Sequence, residues 1–177
     1  STVITEWVKQ TRARPPDADR SWRRPSIVLT APTNKAAGVL REMVVERGLH
    51  TDVSTIHSLL SLKLRWQEDK QVLVQDERGD NRFGEFDYVV IDECGMLDEE
   101  LMGYICREQK ACENKVIFMG DPCQLPPISE KGSRSFGVPD NVELVRVMRQ
   151  AEGNNIIALG VYLREVILSD RPHYPNK

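Results

Sequence analysis

The apolar positions along the chain change period several times, and each change marks an element. Val3, Ile4, Trp7 and Val8 recur at helical spacing and predict a helix from Ser1 to about Arg12 with those four as its buried stripe. Arg14-Pro15-Pro16 stops it, and the polar stretch to Pro25 reads as a loop. Ile27-Val28-Leu29 predicts a short buried strand. A second helix comes next, capped by Thr33 or Asn34, with Ala37, Leu40, Met43 and Val44 as its apolar face and Gly48 as its stop. Beyond a short Thr55-Ile56-His57 segment the period falls to two. Leu62, Leu64 and Trp66 alternate with polar residues, as do Val72 and Val74 past the Glu68-Asp69-Lys70 turn, so a β-hairpin is expected over about 62–75.

Gly79 to Gly84 reads as another turn. Tyr88-Val89-Val90-Ile91 is a continuous apolar run, the pattern of a strand buried on both faces. Asp98 starts a helix with Leu101, Met102, Ile105 and Cys106 on one side. Val116 to Met119 predicts a strand leading into Gly120-Asp121, and a last strand is expected near Leu144 to Met148. The final helix spans about Asn155 to Leu168, and its apolar run, Ile156 to Leu163, reads as one face of a core helix. Strands alternating with helices imply an α/β fold, mainly a parallel sheet with helices on both faces, carrying a small β-hairpin insertion.

Composition adds limits rather than direction. The 177 residues suffice for one sizeable core, with 40% hydrophobic and 29% charged residues. A net charge of −3 gives no overall electrostatic case for nucleic acid, although a local basic groove remains compatible with it. The first segment is basic, since Lys9, Arg12, Arg14, Arg20, Arg23 and Arg24 outnumber Glu6, Asp17 and Asp19. Composition alone favours a solvated loop there. No apolar run approaches the roughly 18 residues of a membrane span, and no signal peptide opens the chain, so a cytoplasmic setting without a membrane partner is expected. Cys94, Cys106, Cys112 and Cys123 form no C-x-x-C pair, and His50, His57 and His173 complete no metal spacing. The cysteines are expected to be reduced, buried and structural.

Two segments carry chemistry. Asp92-Glu93 ends the apolar run at Ile91, and ligand crevices of α/β sheets open at the carboxyl ends of strands. Asp92 suits Mg²⁺, and Glu93 suits orienting and deprotonating an attacking water. Alone, an acidic pair at a strand end is a common surface feature. The second segment, Gly120-Asp121-Pro122-Cys123-Gln124-Leu125-Pro126-Pro127, lies just past the next strand. Its glycine permits close backbone approach to a ligand, and Gln124 can both donate to a phosphate and accept from water. In isolation it reads as a proline-stiffened turn. Two acidic strand ends in consecutive β-α units make nucleotide hydrolysis the better account.

These segments resemble superfamily 1 DNA helicases of the RecD and Dda branch. Asp92-Glu93 looks like motif II (Walker B), Gly120 to Gln124 like motif III, and Leu29 to Ala37 like motif Ia. Ser54 to Leu60 looks like the family's next DNA-contacting segment, and Leu144 to Gln150 like motif IV. The resemblance implies a RecA-like P-loop NTPase domain, motor domain 1A, over 1–140, and the start of a second motor domain over 141–177. It implies ATP and Mg²⁺, with Asp92, Glu93, Asp121 and Gln124 at the nucleotide and Arg149 as an arginine finger to the γ-phosphate. Pro32, Thr33, Asn34 and Lys35 would line a single-strand path with Thr55 and His57. By composition alone His57 is a satisfied structural histidine, and its DNA role rests on the resemblance. The hairpin stands where the family has its strand-separating pin. Trp66 would either stack on a base at the fork or pack the hairpin onto the core.

One departure is serious. No G-x-x-x-x-G-K-[ST] occurs, so the phosphate-cradling loop is missing. The opening Ser1-Thr2-Val3-Ile4-Thr5-Glu6-Trp7 is similar to the family's segment immediately after that Gly-Lys, which makes Ser1, or alternatively Thr2, the Mg²⁺-binding hydroxyl residue. The chain is therefore expected to be a piece cut within the loop and ending after motif IV, inactive by itself. Cys94-Gly95 stands where small residues such as Ala or Ser are more usual, and adds glycine freedom beside the site. The expected whole is a monomeric, ATP-driven motor that moves 5′ to 3′ on single-stranded DNA and opens a DNA fork. A non-catalytic binding module of the same fold is the rival. A kinase-like P-loop enzyme fits poorly with Gln124 and the Pro-Thr-Asn-Lys segment.

Overall fold

The structure, a computed structural model, describes residues 2–68, 70–76, 78–128, 130–144 and 155–169. Helix α1 (Thr2–Arg12) precedes strand β1 (Ile27–Ala31) and helix α2 (Asn34–Glu46). Next come strand β2 (Asp52–Thr55), the one-turn helix α3 (Ile56–Leu59) and the hairpin strands β3 (Leu62–Gln67) and β4 (Lys70–Gln75). Strand β5 (Tyr88–Ile91), helix α4 (Glu99–Cys112), strand β6 (Lys115–Phe118) and helix α5 (Asn155–Ser169) complete the order.

The main sheet has four strands in the order β2-β1-β5-β6. Every pairing in it is parallel, with Leu29 opposite Val53 on one side and Val90 on the other, and Val90 in turn opposite Ile117. Parallel strands need crossovers, and the helices that supply them cover both faces. Alternation along each strand divides the core in two. Ile27, Leu29, Ala31 and Val90 pack with Ile4 and Val8 of α1 and with Ala37, Leu40, Met43 and Val44 of α2. Val28, Val89 and Ile91 face the other way, onto Ile56 and Leu59 of α3 and Leu101, Met102 and Ile105 of α4. Burying a side chain such as Leu29 or Ile91 completely contributes about 1.5–3 kcal/mol each, so these layers dominate the fold's stability. The polar residue in their midst, Thr30, is satisfied because its hydroxyl donates to the Val90 carbonyl at 3.0 Å.

The antiparallel hairpin β3–β4 pairs Leu62 with Gln75 and Trp66 with Gln71. Its root is in the core through Leu62 and Leu73, and the Tyr104 hydroxyl of α4 donates to the Leu73 carbonyl at 3.0 Å. Its tip is not. Leu64 is 64% and Trp66 73% exposed, so most of the Trp66 ring is free of the core.

Several expectations need correcting. Val3 lies on the outer side of α1, and Thr5 is buried instead, because the helix turns its Ile4–Val8 edge to the sheet. Of the two residues expected as the cap of α2, Thr33 fills the role by accepting from the Ala36 amide at 3.2 Å. Cys94 is buried, whereas Cys106 and Cys112 are exposed and Cys123 is half-buried. In α5, Tyr162 and Leu163 of the apolar run are exposed, as are Val166, Ile167 and Leu168 beyond it, and the burial of residues 156–159 and 161 lies outside what is described. Leu144 belongs to no strand, and the remainder of the strand expected there lies outside the described residues. The basic first segment serves the fold: Arg12 donates to the His50 carbonyl at 2.6 Å, Arg14 to the Ala18 carbonyl at 3.3 Å, and Arg23 pairs with Asp87.

Candidate nucleotide and nucleic-acid site

The carboxyl ends of β5 and β6 lie side by side, and both candidate segments leave the sheet there. The Asp92 amide donates to the Thr30 carbonyl at 2.8 Å, which extends the β1–β5 ladder one residue past the strand. The chain then breaks. Glu93 is in the left-handed region, at φ 55° and ψ 38°, and leads into a tight turn over Cys94–Met96. A non-glycine residue there stores strain, which surrounding contacts must hold. They are visible: the Cys94 amide donates to the Met119 carbonyl at 2.9 Å, and the Met119 amide to the Ile91 carbonyl at 2.8 Å.

A second brace comes from the short helix Arg134–Gly137 and the serine before it. The Ser135 hydroxyl donates to the Cys94 carbonyl at 3.0 Å and the Ser133 hydroxyl to the Leu97 carbonyl at 2.7 Å, all of them buried. Phe136 lies against Gly95, where an added Cβ would make ordinary contact with its ring at 3.5 Å. Gly95 therefore supplies packing room rather than backbone freedom, and the unusual backbone falls on Glu93. The close approach belongs to Gly120, where a Cβ would sit 2.8 Å from Cys94 Sγ and 3.1 Å from the Cys94 amide nitrogen. Burial pushes the Cys94 thiol above its ordinary pKa, with Asp92 and Glu93 adding to the effect and a hydrogen bond from Ser135 opposing it.

The Gly120–Gln124 loop closes on Asp121. Its Oδ1 accepts the Cys123 amide at 2.9 Å, and its carbonyl accepts the Gln124 amide at 3.1 Å. Gln124 is exposed. In helix α1, Trp7 stacks edge-on against Tyr88 at the start of β5, and Arg12 reaches His50 just before β2. Ser1 and Arg149 lie outside the described residues.

At the neighbouring ends of β1 and β2, Pro32, Thr33, Asn34, Thr55 and His57 line one cleft of about 460 Å³ with Leu62, Leu64 and Leu73 of the hairpin. The sequence singled out Pro32 and the polar members of this group; Leu62 and Leu64 carried only strand alternation, and Leu73 falls between the alternating Val72 and Val74 but is the residue paired with Leu64. Thr33 and Thr55 each spend an acceptor on capping a helix, and both hydroxyls keep a proton to donate. Burial lowers the pKa of His57, against the pull of Asp98 and of the Pro32 backbone, so a neutral ring faces the cleft. Lys35 is exposed beside it, and Trp66 stands further out on the hairpin.

A parallel sheet covered on both faces, with an acidic pair and a glycine-led loop at adjacent strand ends, defines the α/β fold of P-loop NTPases. Residues 3–165 match the AAA domain family, and the chain belongs to that family. It is 30% identical over 144 residues to uncharacterized protein R530 of Acanthamoeba polyphaga mimivirus, a match covering 75% of this chain and 29% of that one. Among solved structures it is similar to Bacteroides Pif1 bound to ssDNA, with a TM-score of 0.59, 18% identity, and coverage of 99% of this chain and 45% of the other. It is likewise similar to the Bacteroides Pif1 helicase in complex with ADP-AlF3 and ssDNA, at a TM-score of 0.54 and 20% identity over 97% of this chain and 44% of that one. The chain spans less than half the length of these proteins.

Proposed function

We propose that the chain is motor domain 1A, with the beginning of a second motor domain from about residue 141, of an ATP-dependent helicase that moves on single-stranded DNA and opens a fork. The observation that carries this reading is the meeting of Asp92-Glu93 and Gly120–Gln124 at adjacent strand ends, beside a separate cleft built by Pro32, Thr33, Asn34, Thr55 and His57. Nucleotide and strand would thereby occupy neighbouring ends of one rigid sheet, which is what coupling hydrolysis to movement requires.

In this mechanism Glu93 takes the proton of the attacking water, its backbone strained into place and braced by Ser133 and Ser135. Gln124 contacts the γ-phosphate and reports its loss through the Asp121 turn. Asp121 acts at the nucleotide by shaping that turn, and Arg149 is the arginine finger. Among the described residues no group of three or more His, Cys, Asp or Glu converges as a metal cage. A lone carboxylate, Asp92, with a hydroxyl from Ser1 or Thr2, suits Mg²⁺, which favours few protein ligands together with phosphate oxygens and waters. Bound there, Mg²⁺ would neutralise charge on the phosphates. Thr33, Asn34, Lys35 and Thr55 donate to the strand's phosphates, and a neutral His57 contributes shape and a hydrogen bond instead of charge. Trp66 serves as the pin at the fork.

The test is ATP hydrolysis by the intact protein containing this chain, with and without single-stranded DNA, beside its Glu93→Gln variant. Strong stimulation by DNA, with turnover falling by roughly 100-fold or more in the variant, is expected for the loss of a general base. DNA binding without turnover in the unaltered protein would favour the non-catalytic binding module.

A further inference from the structure

Arg164 of α5 donates through Nη1 to Asp121 Oδ1 at 2.7 Å, the same oxygen that accepts the Cys123 amide. Its Nη2 lies 3.6 Å from Glu143. One guanidinium thus spans α5, the segment before it and the loop that carries Gln124. We infer that Arg164 is a positioning residue for the Gly120–Gln124 loop: from α5 it holds the Asp121 carboxylate, so the setting of Gln124 depends on the position of α5.

The loop is short, and two of its bonds close on Asp121. Asp121 supplies both the carboxylate that captures the Cys123 amide and the carbonyl that captures the Gln124 amide. A carboxylate held from outside by a planar, charged fork has less freedom to swing off its turn. Around Arg164, the apolar side chains Tyr162, Leu163, Val166, Ile167 and Leu168 are exposed, so none of these five is a fully buried anchor. A shift of this part of α5 removes the Arg164 partner of Asp121. Coupling of this kind is reciprocal: whatever resets the loop at Gln124 biases α5 by the same free energy.

The plainer alternative is a surface ion pair. Both side chains keep about a third of their exposure, 35% and 36%, and such pairs contribute little to global stability. The two readings part on what the loss of Arg164 disturbs. A surface pair disturbs nothing measurable, a structural residue lowers stability throughout, and a positioning residue alters the loop and turnover alone.

The inference about turnover rests on the proposed helicase reading, so the experiment carries one readout that does not. In the intact protein, Arg164→Ala and Arg164→Lys are compared with wild type by amide hydrogen exchange over residues 120–125, by thermal midpoint, and by kcat and KM for ATP on single-stranded DNA. Arg164→Ala is expected to speed loop exchange and lower kcat, each by roughly 5-fold or more, with KM and the midpoint unchanged. Arg164→Lys, which keeps the charge and loses the fork, restores part of both. Unchanged exchange, or unchanged kcat, in Arg164→Ala overturns the inference, as does a loss of kcat that simply tracks a lowered midpoint. If the wild type hydrolyses no ATP, the helicase reading fails and loop exchange alone decides whether Arg164 holds the loop.

Discussion

Gly120 marks the tightest point in the molecule's candidate active region, where the loop after β6 crosses the turn after β5. A methyl group there meets Cys94 Sγ at 2.8 Å, and also two backbone nitrogens, those of Cys94 at 3.1 Å and Gly95 at 3.2 Å. Sulfur can rotate aside; backbone cannot. Gly120→Ala is expected to lower stability by about 1–3 kcal/mol, read from the urea midpoint. Adding Cys94→Ala should recover only part of that loss, because the backbone contacts remain. Full recovery would mean that the sulfur alone sets the spacing. The sequence offered Gly120 for close approach to a ligand, whereas the approach seen here is to the turn at Cys94. It also gave Gly95 a freedom that the structure assigns to Glu93, since left-handed backbone is held by tertiary bonds from Met119 and Ser135 that no local pattern announces.

Among the elements, legibility tracked burial. Tyr88–Ile91 and Ile27–Leu29 were readable because strands covered on both faces need unbroken apolar runs. Strand β2 was not, because it lies at the edge of the described sheet with Asp52 exposed and only Thr55 buried, and so carries no apolar run. Helix α3 is a single turn, too short for any period. The hairpin was readable from its alternation, yet alternation gave no account of how far it projects. That projection makes Trp66 a sharp test of the pin. With 73% of Trp66 exposed, Trp66→Ala should leave the thermal midpoint nearly unchanged. Unwinding of a forked duplex should fall while DNA-stimulated hydrolysis persists, because stacking on a base at the junction is lost. A lowered midpoint with normal unwinding would return Trp66 to a packing role.

On the scale of the whole molecule, the basic first segment is strapped to the sheet through Arg23. Arg23 grips Asp87 through two bonds of 2.7 and 2.5 Å, and the Ser26 amide and hydroxyl add two more to the same carboxylate, at 2.7 and 2.8 Å. The Arg23 guanidinium, with Ser26 behind it, holds the Asp87 carboxyl at about 2, below its ordinary 3.8. A carboxyl held low stabilises the folded state above its ordinary pKa, and that contribution disappears as pH falls through the folded value. Arg23→Ala should therefore lower the urea midpoint at neutral pH, with the two proteins converging as the pH falls to about 2. A gap that persists in acid would assign the effect of Arg23 to packing.

The all-parallel sheet also has a consequence in time. Its central pairing joins β1 to β5, and Thr30 and Val90, which share a hydrogen bond there, are 60 residues apart. The hairpin between them closes locally, in roughly 1–10 µs for such a unit. It cannot nucleate the sheet, because neither of its strands belongs to it. Loop-closure entropy must be overcome before the first central contact forms, which places folding toward the slow, millisecond-to-second side for domains of this size. Throughout that interval Ile27-Val28-Leu29 and Val89-Val90-Ile91 are uncovered apolar strands, and a nascent chain emerging residue by residue leaves β1 waiting for β5 to be synthesised.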